Sequence, residues 1–357
     1  MAQAIISRKG GGGGGYATIT FDNANSNVFF SNSNVELRDT RTSHAATTVG
    51  DYALFGGGEV ASGSSSYYFA IVEAFNTSLT RSIPTALSVG RAVLAATTVG
   101  NYALFGGGVS YNSGSTYYQT VDAYNTSLTH STPTSLSQAR YFLAATTVGD
   151  YALFAGGKND TYQSTVDAYN TSLTRSTPTS LSQARDNLAA TTVGDYALFG
   201  GGYGGAYFST VDAYNTSLTR STPTALSVGR YNLAATTVDD YALFAGGRNS
   251  DAYQSTIDAY NSNLIRSTPT EIIPSRATLR ATTVGSYALF GGGDKGYTTR
   301  TYDTVNAFQI KSKVFVYPGT KYKFGSMASE ETSATMQELT FTPPITGYIK
   351  IKDATIN

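Results

Sequence analysis

Residues 185–230 read RDNLAATTVGDYALFGGGYGGAYFSTVDAYNTSLTRSTPTALSVGR. The stretch opens and closes on an Arg, and Tyr-Ala-Leu-Phe begins eleven residues after the first. The same phrase starts at Tyr52, Tyr102, Tyr151, Tyr196, Tyr241 and Tyr287, at spacings of 50, 49, 45, 45 and 46 residues. An Arg stands eleven residues ahead of each: Arg41, Arg91, Arg140, Arg185, Arg230 and Arg276. The chain is an array of six units. A period of this length marks an architecture in which each unit buries its apolar surface only against its neighbours.

Each unit holds four extended segments, LAATTV, YALF, STVDAYN and SLTRSTPTS, built from β-branched and aromatic residues with no helical period. Two-residue Gly-Asp, Gly-Asn, Gly-Ser or Asp-Asp steps between the first and second segments suit hairpin turns. Four-stranded units of this length are expected to be propeller blades. Side-chain size orders the strands radially. The small LAATTV belongs innermost, where blades crowd the axis. YALF, apolar on both faces, belongs between neighbouring blades. The fourth segment carries Pro84, Pro133, Pro178, Pro223 and Pro269 in five units and belongs on the outer edge, because Pro cannot donate to a ladder. The expected fold is all-β: a six-bladed β-propeller of four-stranded antiparallel blades over residues 16–309. Its sixth unit lacks a Thr-Pro-Thr segment, and the N-terminal segment VFFSNSNVELRDTR (28–41) is expected to supply the closing strand. Residues 310–327 are the other segment that could do so. Residues 1–15 end in six glycines and read as a flexible arm. Residues 310–357 differ in composition and read as a small β appendage for docking or oligomerisation.

At these residues the sequence resembles the kelch repeat: the Gly-Gly after the second strand, the Asp-Ala-Tyr of the third and the closing Arg of each unit. The resemblance covers roughly residues 28–309. It departs from many kelch units in having Leu79, Leu128, Leu173, Leu218 and Leu264 where a Trp often stands. It implies a propeller and usually a binding role, with a minority of enzymes; fold alone does not give function. The two ends, AIISRKGGGGGG and the C-terminal strands, look like parts of phage or prophage tail-associated proteins. That resemblance implies a virion or tail partner, or a homo-oligomer, held through residues 1–15 and 310–357.

Composition excludes several chemistries. Net charge is zero with 13% charged residues, so nothing draws nucleic acid or an anionic membrane. The chain has no Cys, hence no disulfide, thiolate metal site or cysteine nucleophile, and no Tyr–Cys crosslink of the kind that kelch-bearing copper oxidases need. Two histidines in different units, His44 and His130, offer no metal cluster, and neither metal nor cofactor is expected. The glycine runs precede no helix and are not phosphate loops. No stretch has the length of a signal peptide's apolar run or of a membrane span, so a soluble protein is expected, on a virion or at a cell surface. The recurring Asp122, Asp167, Asp212 and Asp258 (Glu73 and Asn306 in the other units) and the closing arginines read as structural, because every blade has them. The four Asn-Thr-Ser sequons, at Asn76, Asn125, Asn170 and Asn215, read as turns.

Comparing the units with one another locates the candidate site. Antiparallel strands put the 1–2 and 3–4 turns on one face of the disc, and those turns are monotonous. The 2–3 and 4–1 loops share the other face and vary. Their Tyr, Asn, Asp, Ser and Gly content combines rigid amphipathic rings with adaptable hydrogen bonding, as in antibody paratopes, and equally suits sugars. The candidate ligand-binding residues on the 4–1 side are Tyr141, Asp186, Asn187, Tyr231 and Asn232. On the 2–3 side they are Asn159, Asp160, Tyr203, Arg248, Asn249 and Asp251. His44 and Arg280 interrupt the inner strand of the first and sixth units and are expected near each other at the channel mouth, where pairing with the closure segment is the simpler reading and ligand binding the other. The expected function is non-enzymatic recognition of a glycan or another surface molecule. The alternatives are an enzyme of the kelch sialic-acid mutarotase kind, or an intracellular protein-binding scaffold.

Overall fold

Small inner strands let six units meet around one axis, and the threonines of LAATTV then bond from blade to blade. The protein is described from a computed structural model, which covers residues 16–17, 36–62, 65–112, 114–296, 301–309 and 354–355. The inner strands are Ala45–Val49, Ala95–Val99, Ala144–Val148, Ala189–Val193, Ala234–Val238 and Arg280–Val284. Thr47 bonds Thr98 at 2.9 Å, Thr97 bonds Thr147 at 2.9 Å, and the pattern continues to Thr236 and Thr283 at 2.8 Å. From blade two to blade six the second threonine of the inner strand also donates to the backbone of the preceding one, as Thr98 does to Thr48 and Thr192 does to Thr147. The architecture is the expected one: an all-β, six-bladed propeller.

Blade four represents the set. Ala189–Val193, Tyr196–Gly200, Val211–Asn215 and Arg220–Ser221 form one antiparallel sheet in sequence order. The register pairs Thr191 with Leu198, Phe199 with Asp212 and Tyr214 with Arg220. The outer strand is shorter than SLTRSTPTS suggests. It has two residues, and Pro223 lies beyond it, where the chain leaves the ladder and turns back to the axis. Each Asn of the NTS turns folds its side chain onto its own loop; Asn215 Oδ1 accepts from Ser217 N at 3.0 Å and Thr219 N at 2.9 Å.

The hydrophobic core lies between blades. Ala144, Val148, Leu153 and Val166 of blade three pack on Ala197, Phe199 and Tyr214 of blade four in one buried cluster. Corresponding clusters fill the other four junctions from blade one to blade six. Apolar side chains on both faces of every central strand are what this arrangement requires.

The Asp-Ala-Tyr of the third strand and the closing Arg stitch these junctions with polar bonds. Asp212 accepts from Ser182 N at 3.0 Å, Ser182 Oγ at 3.1 Å and Arg185 Nη2 at 2.6 Å, all on the segment arriving from blade three. Tyr214 Oη donates to Thr179 O of the same segment at 2.7 Å. Arg185 and Asp212 are both fully buried. Blades two, three and five repeat the pair as Arg91–Asp122, Arg140–Asp167 and Arg230–Asp258. In blade two His130 takes the place of the outer-strand Arg, with Nε2 2.7 Å from Asp122 Oδ1; it is a partly buried partner of that carboxylate.

The junction between blades six and one differs. Val284 and Val305 of blade six are each 50% exposed, whereas the inner-strand valines of the other blades are at most 1% exposed. Ala46 and Thr48, on the facing side of blade one, are exposed as well. A Cβ placed on Gly56, Gly106 or Gly200 would meet the next blade's Phe ring at 2.8–2.9 Å, whereas Gly291 has no such ring within 4 Å. Blade six shows three strands among the described residues. Of the two candidates for its fourth strand, 28–41 and 310–327, residues 28–35 of the first and the whole of the second lie outside them. Residues 36–41 behave as the arriving segments of the other blades do. Arg38 N donates to Glu73 Oε1 at 2.7 Å, and Arg41 pairs with buried Glu73 at 2.9 Å.

Residues 35–310 form one unit, and residues 1–34 with 311–357 form another. The second is described only by an antiparallel pairing of Tyr16–Ala17 with Ala354–Thr355. The expected arm at 1–15 and the rest of the appendage at 310–357 lie outside the described residues. Among the described residues no helix is long and apolar enough to cross a membrane.

Candidate functional site

The Gly pair that ends the second strand turns the chain onto the variable face. Gly201 and Gly202 have φ of +70° and +106°, and a Cβ on either would come within 2.6–2.8 Å of a backbone oxygen, that of Arg230 or Asp186. Only glycine fits that approach. The residue after the Gly pair then bridges the residue after the closing Arg: Tyr141 to Lys158, Asp186 to Tyr203 and Tyr231 to Arg248. A third residue of the 2–3 loop completes a rung: Tyr162 beside Lys158, Tyr207 beside Tyr203 and Tyr253 beside Arg248. Blades three, four and five therefore carry the rungs Tyr-Lys-Tyr, Asp-Tyr-Tyr and Tyr-Arg-Tyr. Cross-strand neighbours in such a pairing have their side chains within reach of one another. The other rungs are Thr42-Glu59-Tyr68, Ala92-Val109-Tyr117 and Ala277-Asp294-Thr301, which hold fewer rings.

Around Tyr141 the face hollows into an open depression of about 340 Å³, lined by Tyr117, Tyr141, Lys158, Asn159, Asp160, Thr161 and Tyr162. Tyr117 stacks on Tyr141 with centroids 5.3 Å apart and planes at 7°. Lys158 Nζ lies 5.5 Å from the ring centres of both Tyr141 and Phe142 and 3.2 Å from Asp186. Tyr117 Oη donates to Asp160 at 3.3 Å. Burial pushes the Tyr141 and Tyr162 phenols up, so both keep their protons at neutral pH and can donate.

Farther round, Tyr203 lies 5.7 Å from Tyr162 and 5.9 Å from Tyr231, and Tyr207 lies 5.7 Å from Tyr231. The Arg248 guanidinium sits 5.0 Å from the centre of the Tyr231 ring and 5.9 Å from that of Tyr253. Of the residues chosen from sequence, Asp160, Tyr203, Tyr231 and Arg248 belong to this surface, whereas Tyr141 and Asp186, expected to face a ligand, are 8% and 2% exposed because Tyr117 and Lys158 cover them. Asp251 is exposed beside it and accepts from Ser250 Oγ at 2.8 Å.

Two other pairs have local roles. Asn159 Oδ1 accepts from Thr161 N and Gln163 Nε2 at 3.0 Å, and Asn249 Oδ1 accepts from Asp251 N and Ala252 N at 3.0 Å, so these carboxamide oxygens hold their loops. Asn187 and Asn232 sit nearer the axis with φ of 50° and 54°. There Asn187 N donates to Phe142 O and Asn232 N donates to Asn187 O, each at 3.1 Å, as part of a chain of bonds around the inner loops.

His44 is half-buried, and burial lowers its pKa first, followed by the charges of Arg41 and Arg280. The two residues singled out at the channel mouth are thus electrostatic neighbours. Arg280 Nη1 also donates to Leu279 O at 3.3 Å and to Thr278 O at 3.4 Å. Sequence reasoning missed Tyr117, Lys158, Tyr162, Tyr207 and Tyr253. Loops of unequal length carry no register, and only the pairing reveals which residue completes each rung. Among the described residues no group of three or more His, Cys, Asp and Glu is placed to hold a metal.

Asp186 is 2% exposed, and its Oδ1 has no partner. Burial raises its pKa above the carboxylate value of 3.8, against the opposing effects of Asn187 and Lys158. The unfolded chain releases this proton at lower pH than the folded one, so stability from this group falls as pH climbs from 3.8 through the folded value. Asp186→Asn removes the penalty, while the Lys158 charge is constant over the range. The difference in Tm, variant minus wild type, is expected to grow from pH 3.8 toward neutrality by thermal scanning. A difference that stays flat would contradict the assignment.

No family model matches the chain, and no curated protein matches it in sequence. Among solved structures, that of YjhT superposes with a TM-score of 0.61 at 14% identity, covering 77% of this chain and 97% of that one. At that identity the likeness bears on the fold, and in fold the chain is a six-bladed β-propeller similar to YjhT.

Proposed function

We propose that the protein is a recognition module that binds a glycan through the variable face of the propeller, with Tyr141 and its neighbours at the centre. The observation that carries this is the clustering of tyrosines from three successive rungs around Lys158 and Arg248 on one face, where Tyr207 is exposed, most of the other rings are partly exposed and Tyr141 is held beneath Tyr117. Ring faces stack on the apolar faces of sugars. Tyr hydroxyls and the exposed Asp160 carboxylate, which already accepts from Tyr117, offer the hydrogen bonds that sugar hydroxyls take. A glycan array probed with the full chain is expected to retain one glycan class. Tyr141→Ala is expected to weaken binding by about 2 kcal/mol or more, as truncating a buried aromatic anchor does, which is about thirty-fold in Kd. Retention of no glycan, or binding indifferent to Tyr141→Ala, would overturn the reading.

A second reading is a kelch-type sugar-isomerising enzyme working at the channel mouth. The fold likeness to YjhT weighs on its side, and the Arg280 charge is one of the causes that lower the His44 pKa. Such chemistry needs an acid or base at the reacting carbon. Measurable isomerisation of a reducing sugar, lost in Arg280→Ala, would decide for it.

A further inference from the structure

We infer that the ligand is an extended glycan, an oligosaccharide laid across blades two to five, rather than a single sugar. This rests on the glycan-binding reading and concerns how long a ligand the face takes. The rings form a connected series with steps comparable to a pyranose unit. Tyr117 stacks on Tyr141 at 5.3 Å. Tyr141, Lys158 and Tyr162 stand side by side on one rung. Tyr162 meets Tyr203 at 5.7 Å, Tyr203 meets Tyr231 at 5.9 Å, and Arg248 lies 5.0 Å from the centre of Tyr231.

Among the described residues the series ends toward blade six, whose rung, Ala277, Asp294 and Thr301, carries no ring. Toward blade one the rings thin out: Thr42 and Glu59 carry none, and Tyr68 meets Tyr111 of blade two at the wider spacing of 6.4 Å. The depression around Tyr141 takes in only the blade-two and blade-three part of the series. A single sugar seated there leaves Tyr203, Tyr207 and Tyr231 unused. Subsites of one connected ligand add, because filling the second becomes intramolecular once the first is occupied.

The test uses the full chain and size-graded oligomers, from monosaccharide to octasaccharide, of β-1,4-linked glucose, β-1,4-linked N-acetylglucosamine, α-1,4-linked glucose and whichever sugar the array retains, measured by calorimetry. On the retained series, affinity is expected to rise by about a hundredfold between monosaccharide and tetrasaccharide and then to level off. Tyr231→Ala and, as a second variant on a more exposed ring, Tyr207→Ala are expected to lower affinity for the long oligomers while leaving the disaccharide unchanged. A monosaccharide that binds as tightly as its octamer, still with sensitivity to Tyr141→Ala, overturns the extended site and leaves glycan recognition standing. Failure of every series and of the array overturns both.

Discussion

Asp212→Ala is expected to destabilise the protein by about 3–5 kcal/mol, the cost of removing one partner of a buried ion pair. The carboxylate accepts from Arg185, from Ser182 N and from Ser182 Oγ, and all three donors belong to the segment arriving from blade three. Without it, Arg185 remains fully buried, with Nε and Nη1 already unpaired. An uncompensated buried charge costs more than the pair contributes. Arg220 also lies 3.5 Å from the carboxylate, but 27% of its side chain is exposed and it can turn to water. Arg220→Ala is therefore the control, with an expected loss of about 0–1 kcal/mol. Urea denaturation followed by tyrosine fluorescence separates the two. An Asp212→Ala loss no larger than that of Arg220→Ala would show that the recurring Arg–Asp pair does not hold the blades together. The damage is expected to centre on the junction between blades three and four, because units of such arrays contact only their neighbours.

Phe199→Ala is expected to cost about 3–5 kcal/mol, the range for truncating a buried Phe. The ring is fully buried in the cluster between blades three and four, with Tyr214 edge-on at 6.0 Å. Ladders on both sides keep the two sheets from collapsing into the space left behind, which puts the effect toward the upper part of the range. The molecule supplies its own comparison. Phe55 occupies the same place in blade one, facing the junction with blade six, where it is only partly buried and meets His44 and Phe75 rather than a preceding blade. Phe55→Ala is expected to cost less than half as much by the same denaturation measurement. Equal losses at the two sites would mean that the six–one junction is packed like the others in solution.

Much of this was legible in the residues. The small LAATTV segment signalled an axial strand, and Thr47, Thr97 and their counterparts bond around the axis. YALF, apolar throughout, signalled burial on both faces, and Phe199 is buried between two blades. An Asp and an Arg in nearly every unit signalled a structural pair, and Arg185 and Asp212 meet at 2.6 Å. The fourth strand was overestimated. Its sequence is extended and polar from end to end, but only Arg220–Ser221 and their counterparts stay on the ladder before Pro ends the pairing. In the site, Tyr141 and Tyr231 were found because they follow a recurring Arg. Tyr162 was missed because the loop that carries it recurs in neither length nor content, whereas Lys158 was legible, since it follows the recurring Gly pair as Tyr203 and Arg248 do.

The sequence by itself determined the number of blades, the radial order of their strands and the face on which variation gathers. Each of these follows from period and side-chain size, quantities that repeat and can be counted along one dimension. The tertiary structure alone decided which loop residues stand beside one another in the rungs of blades three to five. It also decided that the junction between blades six and one leaves Val284 and Val305 half exposed while five other junctions are sealed. Neighbourhood across a loop depends on cross-strand register, and closure of a ring depends on how its two ends arrive. Both come from distances between residues far apart in the chain, which no local pattern of side chains encodes.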